Sequence, residues 1–105
     1  MNKTVDSSIV KLTNYRSVWD YIHKNKQATI PQISKDIGLS LPTVTRAVDY
    51  GVAEGIIEPD GVIGAERGRK AQVYKLHADY MHFLLIYLDA DVLSYRIHDF
   101  RSRTI

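Results

Sequence analysis

Two helical segments separated by a three-residue turn constrain the fold of this chain more than any other feature. The first covers about residues 31–37, and Gly38 supplies the left-handed residue that commonly ends a helix. Ser40 is suited to cap the second segment, Pro42 lies in its first turn, and the helical pattern continues until Gly55. A "GLS" turn of this length is typical of helix-turn-helix units, so the two helices are predicted to pack directly on each other.

Another helix is predicted before this pair, over about residues 13–24. Four large apolar side chains recur there at helical spacing. They are Tyr15, Val18, Trp19 and Ile22. Thr13 or Asn14 is expected to cap this first helix.

The last helix of the three has two different faces. Its apolar side is expected to pack on the first two helices, at Val18, Trp19, Ile33 and Ile37. The apolar side consists of Val44, Ala47, Val48 and Val52, with Leu41 continuing the same period. The opposite side, which is expected to face solvent, consists of Pro42, Thr43, Thr45, Arg46 and Asp49.

After Gly55 the pattern changes to β-type. "IIEP" and "QVYKL" are rich in branched and aromatic residues, and the glycine-bearing segment between them contains the basic run "RGRK". This predicts a two-stranded ribbon with a basic loop at its tip. Three helices followed by a ribbon is the order of a winged helix. The predicted fold class is therefore α+β, with a three-helix core and a β-ribbon wing over residues 1–78 and a C-terminal β-hairpin over residues 79–105.

Composition excludes several other classes of protein. The chain has no cysteine, which excludes disulfides and thiolate metal sites. No export signal is recognisable at the N-terminus, and no stretch reaches the roughly twenty apolar residues of a membrane span. We therefore expect a cytoplasmic protein without membrane association. The net charge of +2 is too small to identify a nucleic-acid partner, so the distribution of charge matters more.

The polar side of the last helix suggests a polyanion as partner. In a winged helix the third helix enters the DNA major groove, and the loop of the wing reaches the flanking backbone or minor groove. Hydroxyl groups near a helix N-terminus suit phosphate, and Arg46 is the best candidate to read guanine. The predicted groove contacts are Gln32, Ser40, Pro42, Thr43, Thr45 and Arg46, and the predicted wing contacts are Arg67, Arg69 and Lys70. The predicted function is a sequence-specific regulator of transcription, most simply a repressor, which binds double-stranded DNA.

Two alternatives stay open at this point. The polar residues could form only a solvated helix face, or the third helix could contact a partner protein instead of DNA. Catalytic and metal sites are poorly supported, because Asp89 and Asp91 are typical turn formers and the four histidines lack zinc-site spacing. No enzymatic activity and no cofactor is therefore predicted. Aromatic residues at helical and strand spacing are expected at the core or its margin, namely Trp19 and the tyrosines at positions 15, 21, 50 and 74.

Residues 14–80 resemble the N-terminal DNA-binding domain of the ROK family (repressors, open reading frames, kinases), within the broader MarR-like class of winged helices. The resemblance is carried by "NYR" in the first helix, "GLSLPTVTRAVD", "EGII", and "GRK" before the last wing strand. It implies a winged helix-turn-helix regulator. Gly51 departs from the family pattern, which usually has a large apolar residue there, and Leu41 stands where Lys or Arg is frequent. The glycine is expected either to weaken the helix or to permit a close backbone approach.

The C-terminal tail departs further from that family. In ROK proteins the wing is followed by a sugar-binding, actin-like ATPase domain whose first hairpin carries a D-x-G phosphate loop. Tyr87 and Asp89 stand in the matching places, so phosphate binding is not supported. Residues 79–105 therefore resemble a truncated remnant of that domain or a dimerisation element. The open edge of the hairpin is expected to seek a second copy and give a homodimer, and the alternative is a monomer whose hairpin folds back on the first helix. The sequence identifies neither an operator nor a small-molecule effector.

Overall fold

The computed structural model describes the backbone of residues 3–64 and 70–105, and the side chains of these ranges from residue 8 onward. The fold is α+β, as the sequence predicts. The described helices are α1 (Lys3–Asn25), α2 (Ile30–Ile37) and α3 (Leu41–Ala53). The described strands are β1 (Ala28–Thr29), β2 (Ile57–Ile63), β3 (Ala71–Leu76), β4 (Phe83–Asp89) and β5 (Val92–His98).

The core lies where the helices meet the sheet formed by β1, β2 and β3. Its largest fully buried side chains are Val18, Ile22, Ile33, Val44, Val48 and Ile57. The Nε1–H group of Trp19 donates to the carbonyl oxygen of Ala47 at 3.2 Å, which ties α1 to α3. The Tyr21 hydroxyl donates to the Asp36 carboxylate, which ties α1 to α2. These contacts hold α3 with its polar side outward.

Local capping fixes the turn between α2 and α3. Thr29 and Gln32 form a capping box at the start of α2: the Gln32 N–H donates to Thr29 Oγ1 at 3.3 Å, and the Thr29 N–H donates to Gln32 Oε1 at 2.9 Å. Gly38 follows α2 at φ 73°, a conformation that costs glycine little. Ser40 then caps α3 by accepting the Thr43 N–H at 3.3 Å, as the sequence predicts.

The ribbon belongs to a three-stranded antiparallel sheet in the order β1-β3-β2. β2 and β3 form the predicted ribbon, but β2 extends further than predicted, and a register shift interrupts it between Pro59 and Val62. β1 pairs with β3, with Ala28 opposite Tyr74. The sequence indicates an extended piece at this point but not its pairing, because two residues carry no strand periodicity.

β4 and β5 form a separate hairpin. Its seven residue pairs are in unbroken antiparallel register, and residues 90–91 make the connection. No Cα atom of either strand lies within 8 Å of another described helix or strand. The radius of gyration is 17.2 Å, against about 13 Å for a compact chain of this length. The hairpin therefore projects from the rest of the fold.

The predicted start of the first helix is wrong. α1 begins at Lys3, so Thr13 and Asn14 lie inside it and cap nothing. Residues 3–12 contain neither proline nor glycine, and nothing in them stops a helix that the core stabilises further along.

Two predicted core positions of α3 are also wrong. Leu41 is 52% exposed in the first turn, and Val52 is 38% exposed. Gly51 faces the core in place of Val52: a Cβ atom added there would lie 2.6 Å from Ile57 Cδ1 and 3.2 Å from Trp19 Nε1. The sequence left open whether this glycine weakens the helix or permits a close backbone approach, and the structure shows the close approach.

Candidate nucleic-acid interface

Two connected hydroxyl groups mark the N-terminus of α3. Ser40 Oγ lies 2.8 Å from Thr43 Oγ1, and either oxygen can donate to the other. Because one hydrogen joins the pair, the second hydroxyl hydrogen stays available for an outside acceptor. The first turn of α3 contains no acidic residue, so nothing there offsets the positive end of the helix dipole. This end of α3 is chemically suited to an anion.

Thr45, one turn into α3, has its hydroxyl hydrogen engaged. Its Oγ1–H group donates to the carbonyl oxygen of Leu41 at 2.7 Å. Thr45 is half-buried, and it can present a lone pair and its methyl group outward, but not a donor while that bond is made. Its chemistry therefore suits a base edge, such as the methyl group of thymine, better than a phosphate.

Arg46 is an exposed cation of this surface. It makes no ion pair with a described residue. Together with Thr43 it lines a cleft of about 330 Å³ between the start of α3 and α1. Lys11 and Asn14 of α1 line the same cleft. The structure thus brings two cations and two neutral polar side chains together around one opening.

Lys11 and Asn14 are the residues of this surface that the sequence interpretation missed. The sequence predicts Asn14 as a possible cap of the first helix and assigns no role to Lys11, which lies outside the predicted helix. Lys11 lies four residues before Tyr15. If the first helix is extended past residue 13 toward the N-terminus, this spacing places Lys11 on the same face as Tyr15. Its Nζ atom lies 5.7 Å from the centroid of the Tyr15 ring, a weak attraction that keeps the ammonium group beside the cleft.

Gln32 and Pro42 are exposed, but neither lines the cleft beside Arg46. The Oε1 atom of Gln32 is engaged by the Thr29 N–H, so only the amide hydrogens of Gln32 are available. Pro42 has no N–H and can supply only an apolar contact. The structure therefore separates these two predicted contacts from the Thr43–Arg46 group.

The basic wing is described only in part. Lys70 is exposed directly before β3, and Arg67 and Arg69 lie outside the described residues. On the ribbon itself, the Lys75 ammonium pairs with Glu58 at 3.5 Å and with Asp60 at 3.4 Å. Lys75 thus offsets one of the two acidic charges beside it, and Lys70 makes no ion pair with a described residue.

The aromatic residues of α1 and α3 lie at the margin of the core, as predicted. The rings of Tyr15, Trp19 and Tyr50 form one cluster, with centroids 5.3 to 6.1 Å apart. The hydrogen bond to Asp36, together with burial, raises the pKa of Tyr21. These contacts position α3 on α1 and leave the polar side of α3 free of aromatic cover.

Across residues 3–64 and 70–105, no group of three or more His, Asp or Glu side chains is arranged to hold a metal ion. No helix in the described part of the chain is both long and apolar enough to span a bilayer.

Comparison with known proteins bears on the fold. No family model and no curated protein matches this chain. A similar solved structure is the crystal structure of the Zalpha domain of PKZ from Carassius auratus in complex with Z-DNA, with a TM-score of 0.52 and 21% identity, covering 64% of this chain and 97% of that one. The chain has a winged-helix fold. α2 and α3 are accordingly its helix-turn-helix, and β2 and β3 are its wing.

Proposed function

We propose that this protein is a sequence-specific DNA-binding regulator of transcription, most simply a repressor, which inserts α3 into the major groove of double-stranded DNA. The observation that carries the proposal is Arg46, which is exposed, has no ion-pair partner among the described residues, and lies beside Lys11 and Thr43. A free guanidinium at the start of a winged-helix α3 can donate two hydrogen bonds to guanine. The DNA in the complex of the similar Zalpha domain supports a nucleic-acid partner.

The side chains divide by chemistry into two roles. Lys11, and the free hydroxyl of the Ser40 and Thr43 pair, suit phosphate, and the wing cations Arg67, Arg69 and Lys70 suit the flanking backbone or minor groove. Arg46 and Thr45 suit base edges. Pro42 supplies an apolar contact and the Gln32 amide a donor. Only the contacts to base edges carry sequence preference directly.

Membership of the ROK family is also part of the proposal. It is supported by the sequence pattern of residues 14–80 and by the winged-helix fold. A homodimer and a cytoplasmic location remain predictions from the sequence.

Replacing Arg46 with Ala is expected to weaken binding to the preferred site by about 1–3 kcal/mol, roughly 5- to 150-fold, and to relax the preference at one base pair. The preferred site would first be selected from a random duplex library with the wild-type protein. Affinity would then be measured by fluorescence anisotropy. Lys24→Ala is the matched control, because it also removes one exposed cation. Lys24 lies on α1 about 20 Å along the helix axis from Lys11, and therefore away from the cleft.

The salt concentration and the helical form of the duplex distinguish this proposal from two others, binding of a partner protein and binding of left-handed DNA. Binding through several phosphates should weaken steeply between about 50 and 200 mM salt, whereas a winged helix that contacts a partner protein should show no such dependence on DNA. Equal losses for Arg46→Ala and Lys24→Ala would contradict the role of Arg46. A preference for a CG repeat held in the left-handed form over right-handed duplex would contradict reading of the major groove by α3.

A further inference from the structure

The projecting hairpin has one face that is made of five aliphatic side chains and one tyrosine. Directly opposed residues of an antiparallel pair lie on the same face, and successive pairs alternate between faces. Pairs Leu84 with Ile97, Ile86 with Tyr95, and Leu88 with Leu93 therefore share one face, which we call the outer face. These six side chains are 40 to 78% exposed, and none is charged.

The opposite, inner face differs in composition and in its surroundings. Its pairs include Leu85 with Arg96 and Tyr87 with Ser94, so polar groups alternate with apolar ones. At its base the Phe83 ring stacks on Phe100, with centroids 6.3 Å apart and planes at 17°. Phe83 also lines a cavity of about 480 Å³ together with side chains of α1. The base of the inner face thus contacts the body of the protein, whereas the outer face makes no such contact.

The outer face is too large and too apolar to be left in water. An isolated two-stranded hairpin is marginally stable, and no described helix or strand packs on this one. If a fully exposed residue of this size offers about 150–250 Å², six such residues at the observed exposure present roughly 700 Å². That area exceeds the largest apolar patch of most monomers, about 300–600 Å², and approaches the roughly 800 Å² that each partner buries in a stable interface.

We propose that the outer face packs against the same face of a second copy of this chain, across a two-fold axis. The two hairpins would form a small sandwich with their sheets about 10 Å apart. A second copy fits because a largely apolar face without charge is complementary to itself, whereas a partner with charged groups would have to desolvate them without a counter-charge. The sequence suggested association through the open strand edge, and the alternation of the pairs assigns it to the outer face instead.

The interface does not depend on DNA binding, and its test contains no DNA. Sedimentation equilibrium of the wild-type chain at micromolar concentration is expected to give twice the chain mass of 12.0 kDa. Ile86→Lys places a charge at the centre of the outer face and is expected to raise the dissociation constant at least about 100-fold. The matched control is Tyr87→Lys, the next residue of the same strand, whose side chain lies on the inner face. This control is expected to remain dimeric.

A second variant, Leu88→Lys, distinguishes loss of the interface from unfolding of the hairpin. Leu88 is the most exposed residue of the outer face at 78% and lies beside the turn, so a monomer accommodates Lys there without strain. A dimer that dissociates in Ile86→Lys and Leu88→Lys but persists in Tyr87→Lys would support the proposal. A folded wild-type monomer, an open series of larger oligomers, or equal dissociation in Tyr87→Lys would overturn it.

Discussion

Gly51 determines how closely α3 approaches its neighbours. It is buried in the last turns of α3, and the space that a side chain would fill is occupied by Ile57 of β2 and Trp19 of α1. The same Trp19 donates its Nε1–H to the Ala47 carbonyl oxygen, so both contacts depend on the close approach. Arg46 directly precedes Ala47 in α3. Its orientation therefore depends on the close packing at Gly51, although Gly51 itself lies in the core.

Gly51→Ala is expected to lower the stability of the fold. In an exposed helix this change stabilises by about 1 kcal/mol, but here the new Cβ would press on Ile57 Cδ1, and overpacking of a core costs about 1–3 kcal/mol. Urea denaturation of wild type and variant measures the difference. In an Ile57→Val background, which removes Cδ1, the loss should shrink by about 1 kcal/mol. A more stable Gly51→Ala variant in the wild-type background would contradict this account of the packing.

At the scale of elements, the helix-turn-helix could be predicted from the sequence because its signals are local. Gly38 and Ser40 each act within a few residues, and the structure confirms both. The start of α1 could not be predicted because residues 3–12 carry no single signal that begins or stops a helix, and the pairing of β1 could not because tertiary packing decides it. For the candidate site, the exposed position of Arg46 was predictable from helical periodicity. The engagement of the Thr45 hydroxyl and the proximity of Lys11 were not, because they depend on rotamers and on how α1 crosses α3.

The turn after β5 is held by one carboxylate. Asp99 Oδ1 accepts the backbone N–H groups of Arg101 and Arg103, each at 2.9 Å, and Oδ2 accepts the Arg103 Nε–H at 2.8 Å. Burial of Asp99 acts to raise its pKa, but the hydrogen bonds from Arg103 and Arg101 outweigh it and leave the pKa below its ordinary value. The ionised carboxylate therefore stabilises the base of the hairpin above the ordinary aspartate pKa of about 4, and this contribution is lost as the pH falls through the lowered value.

Asp99→Asn is expected to loosen this turn at pH 7, because an amide cannot accept the three hydrogen bonds with the same strength. Hydrogen exchange at the amides of Arg101 and Arg103 would measure the loosening. The difference between wild type and variant should shrink as the pH is lowered below about 4, because the carboxyl of the opened turn then takes up a proton before the hydrogen-bonded carboxyl does. A difference that is the same at pH 7 and at pH 3 would contradict the role of the ionised carboxylate.

At the scale of the whole molecule, the two proposals fit together: the winged helix would contact DNA, and the hairpin would join two copies of the chain. A single small module has few phosphate contacts and limited interface area. A two-fold dimer through the outer face would present two α3 helices, and such dimers read half-sites one helical turn of DNA apart or a multiple of it. The expected operator is therefore palindromic, with the Arg46 contact repeated in each half.

The central claim is that the start of α3 lies on DNA. Its most direct test is a titration of isotope-labelled protein with its selected duplex, followed by amide chemical shifts. We expect the largest changes over residues 40–46, with further changes at Lys11 and Lys70 and small ones on the outer face of the hairpin. Changes centred on the hairpin, or an unperturbed α3 at saturating duplex, would contradict it.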